Sequence, residues 1–406
     1  MNLEEYFHSL ISGQRRGISA DVQRGLLCGC EFPYATAMRF RNFLYDHERL
    51  HIGSVNVPVI SVGNLTLGGT GKTPLVAHLT QWALSQKIRP GLISRGYQKG
   101  KRVQEESESS SPFSDSTGQR LNDEGMELAI RFPNVPHLQS PNRFAVATRM
   151  VRDFRTEMLI LDDAFQHRRM KRDLDIVLLD SREPFGYGHI FPRGLLRESV
   201  SSLSRAQIVL LSRADLVSGS RRQEIRKQVE KLAPNAIWGE IVHRPITLIS
   251  YYQSDLHNDS QLNSEKSGFF GQKTASLDFL AGKRVFAFAG IAKPDSFRKT
   301  ILDCRAEIVR FNTLTDHHEF TTQEIDRLAE EAKQSDAEVV LCTMKDLVKI
   351  HKRALGKKEL WALAIGIEFL HGEAEFTERL RSIVKQSNPL PLEKGGKRER
   401  QLFSNR

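Results

Sequence analysis

The chain has 406 residues with 39% apolar side chains, 28 Gly and 15 Pro, which excludes a mini-protein and a globally disordered chain and suits about two domains of roughly 100–200 residues each. Lys and Arg outnumber Asp and Glu by 59 to 49, a formal charge of +10, which favours nucleotides, phospholipid headgroups or nucleic acid as partners without choosing among them. The four cysteines, Cys28, Cys30, Cys304 and Cys342, contain one close C-x-C pair, which is neither a zinc ribbon nor a disulfide framework and suits a reducing compartment.

From the N-terminus, Met1-Asn2-Leu3-Glu4-Glu5 is acidic where a signal peptide is basic, and no apolar run approaches the roughly 18–20 residues that cross a bilayer. The expected location is the cytosol or the cytosolic face of a membrane. Between Tyr34 and Leu44, Ala37, Phe40, Phe43 and Leu44 recur at helical spacings beside Arg39 and Arg41. Residues 1–50 therefore read as an amphipathic membrane-associating segment, a core-packing helix being the other reading.

Residues 51–250 read as one α/β domain. A strand over Val57–Val62 precedes a helix over Lys72–Ser85, and further strands are expected at Gly91–Ser94, Met158–Leu161, Asp175–Leu179 and Gln207–Leu211. Such runs suit a parallel sheet covered on both faces. Residues 99–118, rich in Ser, Glu and Lys, read as a mobile polar insertion, and 251–280 as a polar linker. A second, smaller α/β domain is expected over 281–388. Its strands are Arg284–Gly290, Ala306–Phe311, Ala337–Cys342 and Leu360–Phe369, and its helices Ser296–Asp303, Thr322–Lys333 and Glu373–Lys385. Residues 389–406 read as a basic disordered tail.

The strongest local signal is Thr66-Leu67-Gly68-Gly69-Thr70-Gly71-Lys72-Thr73-Pro74, set between a predicted strand and a predicted helix as a P-loop requires. Glycines let the backbone close round phosphate oxygens, Lys72 neutralises β/γ charge, and the Thr73 hydroxyl offers a ligand to Mg2+. Thr66 stands where the strict pattern has glycine, with Gly68 and Gly69 supplying backbone freedom. A nucleoside triphosphate is implied, and its phosphate acceptor is left open.

Leu159-Ile160-Leu161-Asp162-Asp163 is an apolar run ending in two carboxylates, the layout of a strand whose acidic tip organises Mg2+. Gln166 and His167 follow within a turn, then Arg168, Arg169, Lys171 and Arg172 gather positive charge suited to clamping phosphates. A solvated basic loop explains the arginines equally well.

Together these residues resemble the tetraacyldisaccharide 4'-kinase (lipid A 4'-kinase) family over most of the chain. The resemblance rests on Val62-Gly63-Asn64-Leu65-Thr66 leading into the P-loop, Ile93-Ser94-Arg95-Gly96-Tyr97, and Asp162-Asp163-Ala164-Phe165-Gln166-His167-Arg168-Arg169. It continues through Arg193-Gly194-Leu195-Leu196-Arg197-Glu198, Gly290-Ile291-Ala292, Asp316-His317-His318 and Thr343-Met344-Lys345-Asp346. The chain departs from the family pattern at Ala164 (usually Gly), at Asn122-Asp123-Glu124-Gly125 (usually Gly-Asp-Glu-Pro) and at Met344 (usually Glu).

The resemblance implies a P-loop NTPase-like, mainly parallel sheet with helices on both faces, plus the smaller α/β domain. It also implies transfer of the ATP γ-phosphate to the 4'-hydroxyl of a tetraacylated glucosamine disaccharide 1-phosphate, with Mg2+. By the same resemblance Asp123, His317 and Lys72 are catalytic. Asp162, Asp163, Thr73 and Glu124 are candidate metal ligands, and Gln166, His167 and Arg168 lie on the phosphate side. On spacing alone Asp123 reads as a helix N-cap before Met126–Ile130. The expected partners are the lipid A disaccharide precursor and an anionic membrane surface, with no nucleic acid and no obligate protein partner. The expected place is peripheral, on the cytoplasmic face of the bacterial inner membrane.

A regulatory P-loop switch for GTP or ATP is the rival reading. Guanine specificity calls for Asn-Lys-x-Asp where the chain has Ser212-Arg213-Ala214-Asp215, and no D-x-x-G follows the Asp162 strand. Nucleic-acid binding has only net charge behind it.

Overall fold

The computed structural model describes residues 3–96, 121–253, 270–316, 318–350 and 352–387. Helices α1 (Leu3–Ile11) and α2 (Ile18–Asp46) precede β1 (Val59–Asn64), α3 (Lys72–Ser85) and β2 (Pro90–Ser94). Next come α4 (Asp123–Arg131), β3 (His137–Gln139), α5 (Arg143–Asp153), β4 (Met158–Asp162), β5 (Leu174–Asp180), β6 (Ile208–Ser212), α6 (Gly219–Leu232) and β7 (Ile237–Gln253). The remainder is β8 (Phe270–Ala275), β9 (Arg284–Ala289), α7 (Pro294–Asp303), β10 (Glu307–Thr313) and α8 (Thr322–Gln334), then β11 (Val339–Thr343), α9 (Met344–Ile350), β12 (Ala354–Leu355), β13 (Lys358–His371) and α10 (Glu373–Ser387).

The strands form one mixed, mainly parallel sheet of 13, with the path β10-β9-β11-β13-β7-β6-β5-β1-β4-β2-β3 and with β12 and β8 paired to β13 and β7. From β3 to β7 every pairing is parallel. A parallel set runs equally from β13 through β11 and β9 to β10. The two sets meet where β7 and β13 pair antiparallel along Glu240–Ile249. Strands β1, β2, β4 and β6 are buried at every position, which is why they read as continuous apolar runs rather than alternating ones.

The cores are exchanged between the two strand sets. Phe376, Leu380 and Ile383 of α10 are buried with Leu75 and Leu79 of α3 and Ile241 of β7. In the other direction, Met126 and Ile130 of α4 are buried with Phe286, Leu328 and Leu347. Arg131 at the end of α4 donates to the Ile365 carbonyl of β13 at 3.0 Å.

Two expected segments fall outside the described residues, the insertion at 99–118 and the tail at 389–406. The stretch expected as a polar linker, 251–280, is described only in part. There β7 continues to Gln253, and Phe270–Ala275 forms β8, paired antiparallel with β7. A strand with one neighbour leaves an edge unpaired, and charged or polar residues along it discourage further pairing, so its composition mimics a loop.

Candidate active site

Parallel pairing of β1 and β4 places Val62 beside Asp162, so the loop that follows β1 and the carboxylates that end β4 emerge together at the carboxyl edge of the sheet. That edge is where open α/β sheets take ligands. The Asn64 amide donates to the carbonyls of Thr66 (2.8 Å) and Gly68 (3.4 Å), Arg213 Nη2 to Gly69 (2.8 Å) and the Ser212 hydroxyl to Thr70 (2.7 Å). With its carbonyls held, the loop has fixed peptide planes where it delivers the N-terminus of α3 to an anion. Gly71 caps that helix at φ 88°, and a Cβ there would sit 2.3 Å from the His243 ring. Only glycine meets both demands.

Lys72 Nζ lies 3.4 Å from Asp163 Oδ1, and Arg197 Nη1 holds both oxygens of the same carboxylate at 2.8 and 2.9 Å. Asp163 is left-handed at φ 49°, a conformation costly for a side-chain-bearing residue that turns its carboxylate back toward the loop. Left-handed geometry falls on Asp163 and not on Ala164, which accounts for alanine being tolerated there. Burial pushes the Asp163 carboxyl up, but Lys72 and Arg197 outweigh it and the net shift is down.

Asp162 behaves oppositely. Burial pushes it up to about 6, Lys72 opposing and the charges of Asp163 and Glu124 adding to the rise. Its buried Oδ1 has no hydrogen-bond partner, nor has the buried Thr70 Oγ1 of the loop. A buried, unpaired carboxylate oxygen beside two further carboxylates is a donor set of the kind hard divalent cations take. The residues present therefore fit Mg2+.

A second carboxylate cluster enters from α4. Asn122, not Asp123, is the N-cap, its Oδ1 accepting from Gly125 N at 2.9 Å. Gln139 Nε2 donates to Asn122 Oδ1 (2.7 Å) and Ser94 Oγ (2.8 Å), and Ser94 Oγ meets His137 Nε2 at 2.9 Å. A Cβ at Gly125 would come 2.7 Å from the Gln139 amide. This network fixes the first turn of α4, where Asp123 and Glu124 stand. Asp123 pairs with Lys349 Nζ of α9 at 3.0 Å.

His317 lies outside the described residues. Its neighbour His318 pairs with Glu324 at 3.2 Å and meets Thr315 Oγ1 at 3.2 Å. The Thr343-Met344-Lys345-Asp346 motif is a brace for this loop region. Buried Asp346 accepts from Gly290 N at 3.2 Å and from Thr343 Oγ1 at 2.6 Å, and a Cβ on Gly290 would press on Asp346 Oδ1 at 2.8 Å and His318 Cβ at 3.2 Å.

Of the residues expected on the phosphate side, His167 is half-buried among arginines. Burial, then the charges of Arg143, Arg172, Arg169 and Arg41, push it down to about 4, and its Nε2 is buried without a partner. Gln166 reaches the base of the P-loop and Arg168 reaches α2. The Gln166 amide donates to Asn64 O (2.9 Å) and Glu198 Oε1 (3.1 Å). Arg168 holds the end of α2 through Asn42 O (3.1 Å) and Asp46 Oδ1 (2.7 Å).

Residues given no site role from the sequence also build the site: Arg143, Arg197, Ser212, Arg213, His243 and Lys349, of which Arg197, Ser212 and Arg213 appeared there only within longer motifs. Buried Arg143 donates to Asp163 O at 3.1 Å, and burial pushes its guanidinium down to about 10. Ser212 ends β6 and Arg213 follows it, and their place at a strand's carboxyl end was the available signal. His243 and Lys349 had none.

Comparison with known proteins bears on the family and the fold. The family model described as tetraacyldisaccharide-1-P 4'-kinase matches residues 24–385. A curated tetraacyldisaccharide 4'-kinase from Halothermothrix orenii is 34% identical over 360 residues, 87% of this chain and 90% of that one. One from Anaeromyxobacter is 33% identical over 355 residues, again 87% and 90%. The crystal structure of LpxK from Aquifex aeolicus in complex with ATP superposes with a TM-score of 0.63 at 25% identity, covering 89% of this chain and 99% of that one.

Proposed function

The chain belongs to the tetraacyldisaccharide-1-phosphate 4'-kinase family, and from that premise we propose how its own residues carry the reaction. The protein is an ATP-dependent kinase of lipid A biosynthesis, moving the γ-phosphate to the 4'-hydroxyl of a tetraacylated glucosamine disaccharide 1-phosphate.

The observation that carries the residue assignment is the juxtaposition of Lys72, Asp163 and Arg197 with the unpaired oxygen of Asp162 at the ends of β1 and β4. In this reading Thr66 to Pro74 cradle the phosphates and Lys72 neutralises charge on the departing group. Asp162, Thr73 and Asp163 would hold Mg2+, with Glu124 as a further ligand, and Asp163 also orients Lys72. When bound, Mg2+ supplies charge neutralisation and alignment of the phosphate oxygens.

Phosphoryl transfer passes through a loose transition state, so a base receives the hydroxyl proton late and a positioned carboxylate suffices. Asp123 takes that role, fixed by the α4 cap network and Lys349, with His317 as its partner. His167 presents a neutral imidazole to the phosphate side, while Gln166 and Arg168 act by holding Glu198 and α2 in place. Residues 51–250 then supply the nucleotide side and 281–388 supply His317.

No helix of the described residues is long and apolar enough to cross a membrane. The acyl chains of the acceptor nevertheless keep its hydroxyl at a bilayer surface. Helix α2 exposes Ile18, Val22, Leu26, Phe32, Phe40 and Phe43, an apolar stripe longer than the Phe40–Leu44 pattern suggested. We assign this stripe to shallow, peripheral contact with an anionic membrane on the cytoplasmic face of the inner membrane.

The deciding assay is radiolabelled γ-phosphate transfer to the disaccharide lipid in detergent micelles, with ATP titrated against GTP. Tight GTP binding without transfer would favour a switch. Asp123→Asn and His317→Ala should each slow transfer, and the double variant should be little worse than the weaker single one. Losses that multiply would dissolve the pair.

A further inference from the structure

Helix α2 carries a cluster outside the kinase chemistry. Cys28 and Glu31, three residues apart, share one face of the helix, and His189 approaches from the loop after β5. The Cys28 thiol, a Glu31 carboxylate oxygen and a His189 ring nitrogen all lie within 4.8 Å of one another. Glu31 Oε2 is 3.0 Å from His189 Nδ1, while Oε1 accepts the Ile190 backbone N–H at 2.7 Å. Cys28 is exposed, and Glu31 and His189 are half-buried.

We propose that Cys28, Glu31 and His189 form a three-ligand site for a borderline-soft divalent cation, Zn2+ above all, with its fourth position open to solvent. One sulfur, one imidazole nitrogen and one carboxylate oxygen are the donor types Zn2+ takes. With bonds of about 2.0–2.3 Å, tetrahedral donors stand roughly 3.3–3.6 Å apart. The His189–Glu31 pair is already near that spacing, and a rotation of the exposed Cys28 side chain closes the set. The Ile190 N–H holds the second carboxylate oxygen as outer-shell partners of metal ligands do.

On binding, the Cys28 thiol gives its proton to solvent and the thiolate and carboxylate together offset the 2+ charge, so affinity rises with pH. The cation ties α2 to the 189–197 segment, whose Arg197 grips Asp163, and so anchors the exposed stripe of α2 to the body of the protein.

The test is Co2+ titration of the full chain, without nucleotide and with excess Mg2+ to occupy hard-ligand sites. Expected are the visible bands of tetrahedral cobalt and a near-ultraviolet thiolate-to-cobalt band, both erased by Zn2+. Cys28→Ser, a surface change compatible with folding, should abolish the thiolate band and weaken binding at least as much as the roughly 10–100-fold loss typical of outer-shell substitutions. His189→Ala should weaken it similarly, whereas Cys30→Ser should bind as the parent does. The proposal is overturned if only a weak octahedral spectrum develops, if Cys28→Ser keeps the thiolate band, or if Cys30→Ser removes it.

Discussion

Removing Asp162 or Lys72 should cost transfer in both cases, but removing Asp162 should also stabilise the ligand-free fold. The folded Asp162 carboxyl titrates at about 6 against an ordinary 3.8, so the ligand-free fold holds its proton more tightly than the unfolded chain does. This group therefore destabilises the fold progressively as pH rises from about 4 through 6. Asp162→Asn should make the ligand-free protein more stable at pH 7–8, on the order of 2–3 kcal/mol, while abolishing transfer. It should also remove the rise in melting temperature that Mg2+ and ATP give the parent. Thermal melts across pH with and without Mg2+-ATP check both halves. Lys72→Ala removes charge compensation at the departing phosphate, and a loss in turnover of about 10²–10⁴ is expected. Steady-state kinetics near parental rates would contradict the P-loop role. At this scale the P-loop and the paired aspartates were legible because each lies in a short contiguous motif. Lys349 on Asp123 and His243 under Gly71 were not, since tertiary packing alone brings such residues to the site.

Among the elements, helices α3 and α8 and the strands from β4 to β6 stand within a residue or two of where periodicity puts them, because each is a single apolar run or stripe with sharp ends. Thr321 gives α8 a capping box with Glu324, a start signal written in the sequence. Strand β7 was missed: at 17 residues it changes neighbours along its length, pairing with β6, β13 and β8 in turn, and no single alternation describes it. Helix α2, Ile18–Asp46, was seen only in its C-terminal half. Arg41, expected at the headgroups, instead donates to the Gln166 carbonyl, leaving exposed Arg39 to meet them. Phe40→Asp with Phe43→Asp should release the protein from anionic vesicles and raise the apparent KM for bilayer-embedded acceptor, with ATP binding unchanged. Sedimentation with vesicles decides it, and a folded double variant that still co-sediments would move the membrane face elsewhere.

At the scale of the whole molecule, α10 is the last described element and closes the first core. Phe376 is fully buried there, its ring 5.0 Å from Phe369 and 6.2 Å from His78 of α3. Phe376→Ala should cost about 3–5 kcal/mol, and because the sheet is continuous through β7 and β13 the loss should appear as one shifted calorimetric transition. Two separated transitions would mean that the strand sets unfold independently. The same arrangement bears on how the chain is made. A ribosome releases the P-loop early, yet the apolar surface of α3 lacks its cover until residue 387 has emerged. At about 5–20 residues per second, the interval between completing β7 and releasing α10 is roughly 7–27 s. Over that interval the nascent kinase presents Leu75 and Leu79 to whatever surrounds it, so its solubility during synthesis depends on chaperone cover, and a ribosome stalled short of α10 leaves a nucleotide-binding sheet with an open, aggregation-prone face.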